Sequence, residues 1–212
     1  MVDQHLVDVM KKLQTESKQR KFLESVELAI NLKDIDLTNP KNRLQEEVAL
    51  PHGRGKIIKV GVFAGSEMAL KAKGVADIIV MPEELEELAK DKSKARKFAR
   101  NMDFFIAEAP LMPAIGKRLG VVLAPRGKMP KPIPPGADPK ATIEKLRTSV
   151  TVRTRDKKTF HLPIGTKDMT AEKLAENLDF VLKRLISKLE RGKMNIQSAY
   201  VKTTMGPSFK VM

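Results

Sequence analysis

The sequence has no cysteine and no tryptophan, and only 4% of its 212 residues are aromatic. Without cysteine, disulfide bonds and thiolate chemistry are excluded. No apolar run approaches the roughly 20 residues that a membrane-spanning helix needs. The first residues, MVDQHLVDVMKK, include acids and lack the apolar core of a signal peptide. These absences lead us to expect a soluble protein that works inside the cell.

Acidic residues are also in short supply relative to basic ones. The 40 Lys and Arg residues against 26 Asp and Glu residues give a net charge of +14. A chain this basic usually binds a polyanion, either nucleic acid or an acidic membrane surface. Both the chain ends and the middle segment carry part of the excess. Charge alone therefore does not indicate which segment binds the polyanion.

The motifs of nucleotide-dependent and hydrolytic enzymes are missing as well. Neither G-x-x-x-x-G-K-[ST] nor G-x-S-x-G occurs in the sequence. A dinucleotide site needs G-x-G-x-x-G between a strand and its helix, whereas Gly53-x-Gly55 precedes the predicted strand and Ala64-Gly65-Ser66-Glu67 follows it. The three histidines are far apart in sequence and, without cysteine, form a poor zinc set. We expect no cofactor and no metal, and a nucleotide-binding α/β enzyme stays open as the alternative function.

Short apolar segments alternate with helical patterns through the middle of the chain. The predicted strands are 56–63, 76–81, 103–109 and 121–125, and the predicted helices are 68–72, 83–100, 111–119 and 141–146. A proline-rich stretch, residues 126–139, is predicted to be an extended loop. Short apolar strands between helices are typical of a parallel sheet that is covered on both faces.

The two ends of the chain show alternating polar and apolar residues instead. Predicted strands cover 21–32, 44–50, 149–154 and 159–164, with a loop at 35–43 and a hairpin turn at 155–158 joining the last two strands. Alternation of this kind is typical of a sheet with one covered and one wet face.

Two amphipathic helices are predicted in the same end segments. Val2, Leu6, Val9 and Leu13 form one apolar stripe at helical spacing. Apolar residues from 174 to 189 form a second stripe, which follows a candidate N-cap, Thr170. We expect this second helix to end near Gly192, a plausible left-handed C-terminal residue.

The last stretch, residues 196–211, is predicted to form two strands joined by a turn at Met205-Gly206-Pro207. Ser198, Tyr200, Lys202 and Thr204 lie on one face by the period-2 rule, and Ala199, Val201 and Thr203 lie on the other. Gly206 allows either a close backbone approach or a positive φ. The polar face is either an ordinary solvated surface or a binding surface, and the pattern does not separate the two.

Since the two ends share one pattern and the middle has another, we predict an α/β fold class with two domains. A discontinuous α+β domain is formed by residues 1–53 and 149–212. A Rossmann-like parallel α/β domain, residues 54–148, is inserted into it.

Five motifs, in order along the chain, resemble those of the ribosomal protein L-one family. They are FLESVEL (22–28), LPHGRGK (50–56), LAPRGKMPKP (123–132), HLPIG (161–165) and TTMGPS (203–208). The resemblance covers essentially the whole chain, and the segment PKPIPPGADP is similar to archaeal members. It implies the same two-domain fold and a protein that is not an enzyme.

The resemblance also implies partners and a location. A member of this family is expected in the cytoplasm, on the large ribosomal subunit, at the mobile stalk near the tRNA exit site. It is expected to bind large-subunit rRNA, to bind its own mRNA as a translational repressor, and to contact exit-site tRNA more weakly. We expect a monomer when the protein is free.

The resemblance places the RNA surface on the discontinuous domain. The matching positions are Phe22, Ser25, Glu27, Ser198, Thr204, Met205 and Gly206, with Lys21, His161, Gly165 and Lys167 as flanking positions. Leu23 stands where bacterial members often have Asp, and we expect no RNA contact there. Hydroxyl groups can bind the 2′-OH and phosphate groups of RNA, and Thr204 is expected to be largely accessible.

Three groups of residues have two interpretations each. Glu27 either accepts from a 2′-OH or base amino group or forms a structural ion pair. His52 and Arg54 lie where the chain crosses between domains, so they serve either a hinge or RNA. The cations Arg126, Lys128 and Lys131 form either a solvated loop or a secondary RNA patch.

Overall fold

The computed structural model describes residues 3–39, 42–154 and 157–212. The chain forms two compact units. One contains Met1–Lys56 and Thr148–Met212, and the other contains Ile57–Arg147.

In chain order, the elements are α1 (Gln4–Glu16), β1 (Ser25–Leu32), β2 (Gln45–Ala49), β3 (Val60–Phe63), α2 (Ser66–Ala72), β4 (Ile78–Val80), α3 (Pro82–Lys90), α4 (Lys92–Asn101), β5 (Phe104–Glu108), α5 (Met112–Leu123), β6 (Lys131–Ile133), α6 (Pro139–Thr148), β7 (Ser149–Arg153), β8 (Thr159–Thr166), α7 (Ala171–Lys188), β9 (Ile196–Thr203) and β10 (Ser208–Lys210). The first unit contributes α1 to β2 and β7 to β10, and the second unit contributes β3 to α6 between them. Short 3-10 helices cover Ala109–Leu111 and Gly192–Asn195.

The first unit is built on a four-stranded antiparallel sheet with the order β10-β9-β1-β8. Along β1, buried and half-buried residues alternate, and Val26, Leu28 and Ile30 are fully buried. These side chains share one apolar core with those of α1 and α7. The predicted alternation of β1 is confirmed, because the side chains on one of its faces are buried against helices and those on the other are half-buried.

Helix α1 confirms the predicted amphipathic stripe. Leu6, Val9 and Leu13 are buried, and the carboxylate of Asp3 caps the helix by accepting from the His5 amide at 3.1 Å. The remaining member of the predicted stripe, Val2, lies outside the described residues, as do Pro40 and Lys41 in the predicted loop at 35–43.

The predicted hairpin between residues 149–154 and 159–164 is wrong in its pairing. Within the described residues, β7 pairs with β2 in a separate two-stranded sheet, and β8 pairs with β1. The central turn positions of the expected hairpin, Arg155 and Asp156, lie outside the described residues. The strands were identified correctly, but alternation within a strand does not specify its partner.

Helix α7 begins as predicted, with the Thr170 hydroxyl accepting from the Lys173 amide. The predicted C-terminal role of Gly192 is wrong. The helix ends at Lys188, Leu189 already has extended φ and ψ angles, and Gly192 begins a 3-10 helix with φ of +54°. The glycine therefore serves the connection to β9 rather than the end of α7.

The second unit contains a parallel sheet with the order β4-β3-β5-β6. Its two central strands, β3 and β5, are almost entirely buried, because apolar clusters cover both faces of the sheet. One cluster contains residues of α3, α4 and α5, and the other contains residues of α2 and α6. Together with the antiparallel sheet of the first unit, this confirms the predicted fold class.

One predicted strand of this unit, residues 121–125, is wrong. Residues up to Leu123 continue α5, and the fourth strand is β6, within the segment predicted as a loop. Ile115, Leu119 and Val122 are buried at helical spacing, whereas Val121 is 80% exposed. A short apolar run fits a buried helix and a buried strand equally well, so periodicity could not separate them.

The predicted helical region 83–100 is two helices. Asp91 separates α3 from α4 and caps α4, because its carboxylate accepts from the amides of Ser93 and Lys94 at 2.8 and 3.2 Å. These hydrogen bonds lower the pKa of Asp91. No described helix is both long and apolar enough to cross a membrane.

Candidate nucleic-acid interface

The face of the antiparallel sheet opposite α1 and α7 is formed mainly by half-buried and exposed polar side chains. We call it the open face, and its members are Ser25, Glu27, Ala29, Asn31, Thr159, His161, Pro163, Ser198, Tyr200, Lys202, Ser208 and Lys210. The strand register arranges them in rows across β8, β1, β9 and β10. The structure therefore brings Ser25, Glu27, Ser198 and His161 of the predicted site onto one surface.

The row at one end of the open face is a hydrogen-bonded chain. Thr159 Oγ1 donates to Asn31 Oδ1 at 2.8 Å, and Asn31 Nδ2 donates to Ser198 Oγ at 2.8 Å. Asn31 was not among the predicted site residues, although its parity in β1 matched that of Ser25 and Glu27. It orients the Ser198 hydroxyl, whose own hydrogen stays available to an acceptor.

The two middle rows contain the aromatic and charged groups. Ala29 pairs with His161 on one side and Tyr200 on the other, and Tyr200 pairs with Lys210. Glu27 in the next row pairs with Lys202. The side chains of Glu27 and Lys202 form no ion pair in the described part of the chain. Lys202 is therefore a neighbour of Glu27, and a structural ion pair of Glu27 is not observed among the described residues.

At the opposite end of the open face, Ser25 and Thr204 are joined by their backbones and by the Thr204 hydroxyl. Thr204 N donates to Ser25 O at 3.0 Å, and Thr204 Oγ1 accepts from Ser25 N at 3.2 Å. Thr204 is half-buried. The expectation of a largely accessible Thr204 is therefore wrong, because its hydroxyl is used within the protein. Ser25 Oγ in turn accepts from Lys56 Nζ at 2.7 Å.

The turn that follows Thr204 is held by a buried acid, Glu24. Its carboxylate accepts from the Met205 amide at 2.9 Å and lies 3.7 Å from the Arg20 guanidinium, while only 2% of its side chain is exposed. The Met205 side chain is 60% exposed. Glu24 thus fixes the backbone of the turn and leaves the methionine in solvent. The sequence analysis missed Glu24. Its position could have indicated a buried acid, because Glu24 precedes Val26 by two residues and so falls on the side of the buried face of β1.

Phe22 and Lys21 line a surface groove of about 530 Å³, together with the rest of residues 19–24, Lys167 and Asp168. Phe22 is 53% exposed. The Lys167 ammonium donates to the carbonyls of Ser17 and Lys18 at 2.8 and 3.2 Å. Lys167 therefore neutralises the carbonyl end of α1, which is the favourable place for a cation on a helix.

The two glycines of the predicted site are required for packing. A Cβ on Gly165 would lie 2.5 Å from Leu174 Cδ2, on the side of α7 rather than on the open face. A Cβ on Gly206 would lie 2.2 Å from Thr203 Oγ1, and Gly206 has no positive φ. Of the two predicted reasons for Gly206, the close approach is the one that applies. Thr203 Oγ1 is buried and has no hydrogen-bond partner in the described part of the chain.

The residues around the chain crossing are tied to α7. The His52 amide donates to Asn177 Oδ1 at 3.1 Å, and Asn177 Nδ2 donates to the Gly53 and Ile164 carbonyls at 3.0 and 2.9 Å. The His52 ring also contacts the Glu176 carboxylate. Asn177 is completely buried, so these bonds fix the crossing segment on the first unit.

In the second unit, two cations of the proline-rich segment bind helix ends. Lys128 Nζ donates to the carbonyls of Ala99 and Met102 at 3.1 and 2.5 Å, and burial lowers the pKa of this ammonium. Arg126 donates to the Val122 carbonyl at 3.0 Å. Arg126, Lys128 and Lys131 were predicted to form either a solvated loop or an RNA patch. Lys128 fits neither interpretation, because its ammonium stabilises the end of α4.

The nucleotide-enzyme alternative can be tested at the carboxyl ends of β3 and β5. In α/β sheets a ligand binds where the strand order reverses, next to the turn after the first strand. Here the carboxylate of Glu108 occupies that edge, and a Cβ on Gly65 would lie 3.1 Å from its Oε2. An anionic side chain at this position repels a phosphate. No group of metal-ligating side chains occurs among the described residues.

The fold belongs to the class of two-domain proteins in which a parallel α/β domain is inserted into an α+β domain that has an open polar sheet face. The profile of the Ribosomal protein L1p/L10e family matches residues 13–207, so the chain belongs to that family. The resemblance identified in the sequence is confirmed.

Curated relatives are similar over nearly the full chain. A protein named Large ribosomal subunit protein uL1 from Methanocella arvoryzae is 54% identical over 213 residues, which cover 100% of both chains. Its counterpart from Archaeoglobus fulgidus is 56% identical over 92% of this chain and 91% of its own. That from Picrophilus torridus is 52% identical over 95% of this chain and 94% of its own. The expected similarity to archaeal members is therefore confirmed.

Proposed function

We propose that this protein is a structural constituent of the large ribosomal subunit that binds large-subunit rRNA at the mobile stalk, near the tRNA exit site in the cytoplasm. The relatives named as large-subunit proteins support the first part of the proposal. The open face, together with the turn at Met205, supports the second. The protein acts without a cofactor and is not an enzyme.

The observation that carries this proposal is the continuity of polar groups across four strands. Hydroxyl, amide, imidazole, phenol, carboxylate and ammonium groups stand side by side on the open face, which is opposite the core that the sheet shares with α1 and α7. RNA offers complementary 2′-OH groups, phosphates and unstacked bases. An apolar partner would leave these groups without hydrogen bonds, which makes RNA the better fit.

Individual groups on this surface have different tasks. Ser198, oriented by Asn31, donates to a 2′-OH or phosphate oxygen. Phe22 and Met205 are exposed at the end of the surface and pack on a sugar or an unstacked base. Tyr200 and His161 flank the small Ala29, and their rings provide stacking faces for a base above it.

The remaining predicted residues support the surface rather than extend it. Gly165 and Gly206 allow close packing, and Lys167 stabilises the end of α1 beside Lys21 and Phe22. Thr204 positions the Ser25 backbone at the edge of the open face. Loss of these residues would weaken RNA binding by displacing the groups that touch RNA.

The same surface serves the other RNA partners. We propose that the protein represses translation by binding a structure in its own mRNA that is similar to its rRNA site. Because both RNAs then compete for one surface, free rRNA relieves repression. Exit-site tRNA is a weaker partner. In a cell-free translation reaction, added protein should reduce synthesis from its own mRNA, and added stalk rRNA should restore it.

A binding titration with the stalk fragment of large-subunit rRNA tests the main proposal. We expect Met205→Ala to weaken binding by about tenfold, since an unstacked base or sugar loses the apolar contact with the methionine, worth about 1.5 kcal/mol when half or more of that side chain is buried. Met194→Ala is the matched control, because Met194 is 74% exposed but lies in the 3-10 helix before β9. Equal affinities for both variants would contradict the assigned surface.

A further inference from the structure

We propose that a groove between α4 and α5 of the second unit binds an acidic amphipathic helix of another protein. The groove has a volume of about 610 Å³. Its lining residues are Ala89, Lys92, Arg96, Lys117, Arg118, Val121, Val122, Pro125 and Arg126. None of them belongs to the open face of the first unit.

The rim of the groove is rich in positive charge, since its lining contains five cations and no acid. Helix α4, KSKARKFARN, contains five cations and no acid. None of the five has an ion pair within residues 3–39, 42–154 and 157–212. On the α5 side, Lys117 is likewise unpaired in that part of the chain, whereas Arg118 contacts Glu86 at 2.7 Å. A partner with carboxylates would meet at least three available cations.

The groove also presents apolar surface to solvent, and this decides the class of partner. Val121 is 80% exposed, and Ala89, Val122 and Pro125 lie beside it. The lining contains no aromatic ring to stack on a base and no hydroxyl or amide side chain to bind a 2′-OH. The phosphates of a nucleic acid would bind the cations at the rim and leave Val121 exposed to water. A helix with leucines on one face and carboxylates beside them would use both.

The geometry also suits a helix. The groove follows two packed helices, and α5 extends for 12 residues, or about 18 Å at the usual rise per residue. Val121 lies near the carbonyl end of α5. There Arg126 donates to the Val122 carbonyl, which fixes the position of the Arg126 side chain in the groove. Cations at the rim therefore lie beside the exposed side chain of Val121, which a helix with both apolar and acidic residues can contact together.

The test uses the full-length protein and a dye-labelled synthetic helical peptide as long as α5, with leucines on one face and glutamates elsewhere. A scrambled peptide of the same composition and an RNA duplex are the other probes. We expect fluorescence anisotropy to give at least about tenfold tighter binding for the amphipathic peptide than for the scrambled one. Val121→Asp and Arg96→Glu should each reduce that affinity about tenfold.

Leu70→Asp is the matched control, because Leu70 is 74% exposed on α2, which packs on the other face of the parallel sheet. It should leave peptide affinity unchanged. Circular dichroism of each variant checks that the fold is retained, and both Val121 and Arg96 are exposed enough to tolerate replacement.

Four results would overturn the proposal. The first is equal binding of both peptides, and the second is no binding of either. The third is that Arg96→Glu loses binding of the RNA duplex while Val121→Asp leaves peptide binding unchanged. The fourth is concentration-dependent self-association of the protein through Val121. The first indicates charge attraction alone, the third a nucleic-acid surface, and the fourth a second copy of this chain. Failure here would leave the rRNA titration with Met205→Ala unaffected, so the two proposals are separable.

Discussion

The Thr204 hydroxyl accepts a hydrogen bond from the amide of Ser25 at 3.2 Å and lies 3.3 Å from its carbonyl, 179 residues away in sequence. This contact joins the entrance of β1 to the end of β9, the two central strands of the antiparallel sheet. It also sets the edge of the open face next to the exposed Met205. A single side chain therefore links the fold of the first unit to its proposed RNA surface.

Thr204→Val should destabilise the protein as well as weaken RNA binding. Valine keeps the β-branched shape but leaves the Ser25 amide without the hydroxyl, which costs about 1–2 kcal/mol of the free energy of unfolding. RNA affinity should fall about tenfold because the surface edge is displaced. Urea denaturation and the rRNA titration measure the two effects.

Thr203→Val is the paired control for Thr204→Val. The Thr203 hydroxyl is buried and has no hydrogen-bond partner among the described residues. Removing an unsatisfied polar atom is neutral or stabilising, by up to about 1 kcal/mol. A loss of stability at position 203 equal to that at 204 would show that the two hydroxyls do not differ as described.

Gly206→Ala should distort the turn by a specific collision. The new Cβ would lie 2.2 Å from Thr203 Oγ1 and 3.6 Å from Ser17 Cβ. We expect a loss of about 2 kcal/mol of stability, as for overpacking elsewhere. In a Thr203→Ala background the hydroxyl is absent, so the cost of the same change should fall below about 0.5 kcal/mol. A double-mutant cycle that gives additive effects would be inconsistent with this collision.

The salt dependence of rRNA binding should be moderate despite the net charge of +14. The open face includes two lysines, Lys202 and Lys210, and most of its groups are uncharged. Lys56 at Ser25 and Lys21 beside Phe22 add two cations next to it. About four phosphate contacts predict a slope of about −4 in a plot of log affinity against log salt concentration. A titration in increasing KCl measures it, and a slope near −10, which indicates many phosphate contacts, would argue against this surface.

The sequence allowed prediction of features that depend on local periodicity. Val26, Leu28 and Ile30 alternate with polar residues, so both the strand and its wet face were predictable. Thr170, a candidate N-cap just before the apolar stripe, marked the start of α7 for the same local reason. The prediction of a strand at residues 121–125 was wrong because an apolar segment without alternation fits a helix and a strand alike.

Contacts between distant segments were not predictable in this way. Pairing of β7 with β2 and the bond from Thr204 to Ser25 depend on how the whole sheet assembles. The resemblance gave Lys167 as a flanking RNA-binding position, and no local pattern showed that its ammonium binds carbonyls at the end of α1, 149 and 150 residues away. Family resemblance supplied the candidate positions, and only the assembled sheet separates those that face solvent from Gly165, which packs under α7.

Removal of residues 57–147, with a short linker between Lys56 and Thr148, should leave a folded first unit that retains most of the rRNA affinity. Every residue of the open face lies outside the removed segment, and the first unit has its own core. The cut must spare residues 54–56, because Lys56 binds the Ser25 hydroxyl at 2.7 Å and Gly55 packs against Thr166. Circular dichroism and the rRNA titration are the measurements, and a shorter version that lacks 54–148 is the control, expected to bind several-fold more weakly. If the 57–147 deletion folds but has lost specific binding, the RNA surface lies in the inserted unit, and the open face is an ordinary solvated surface.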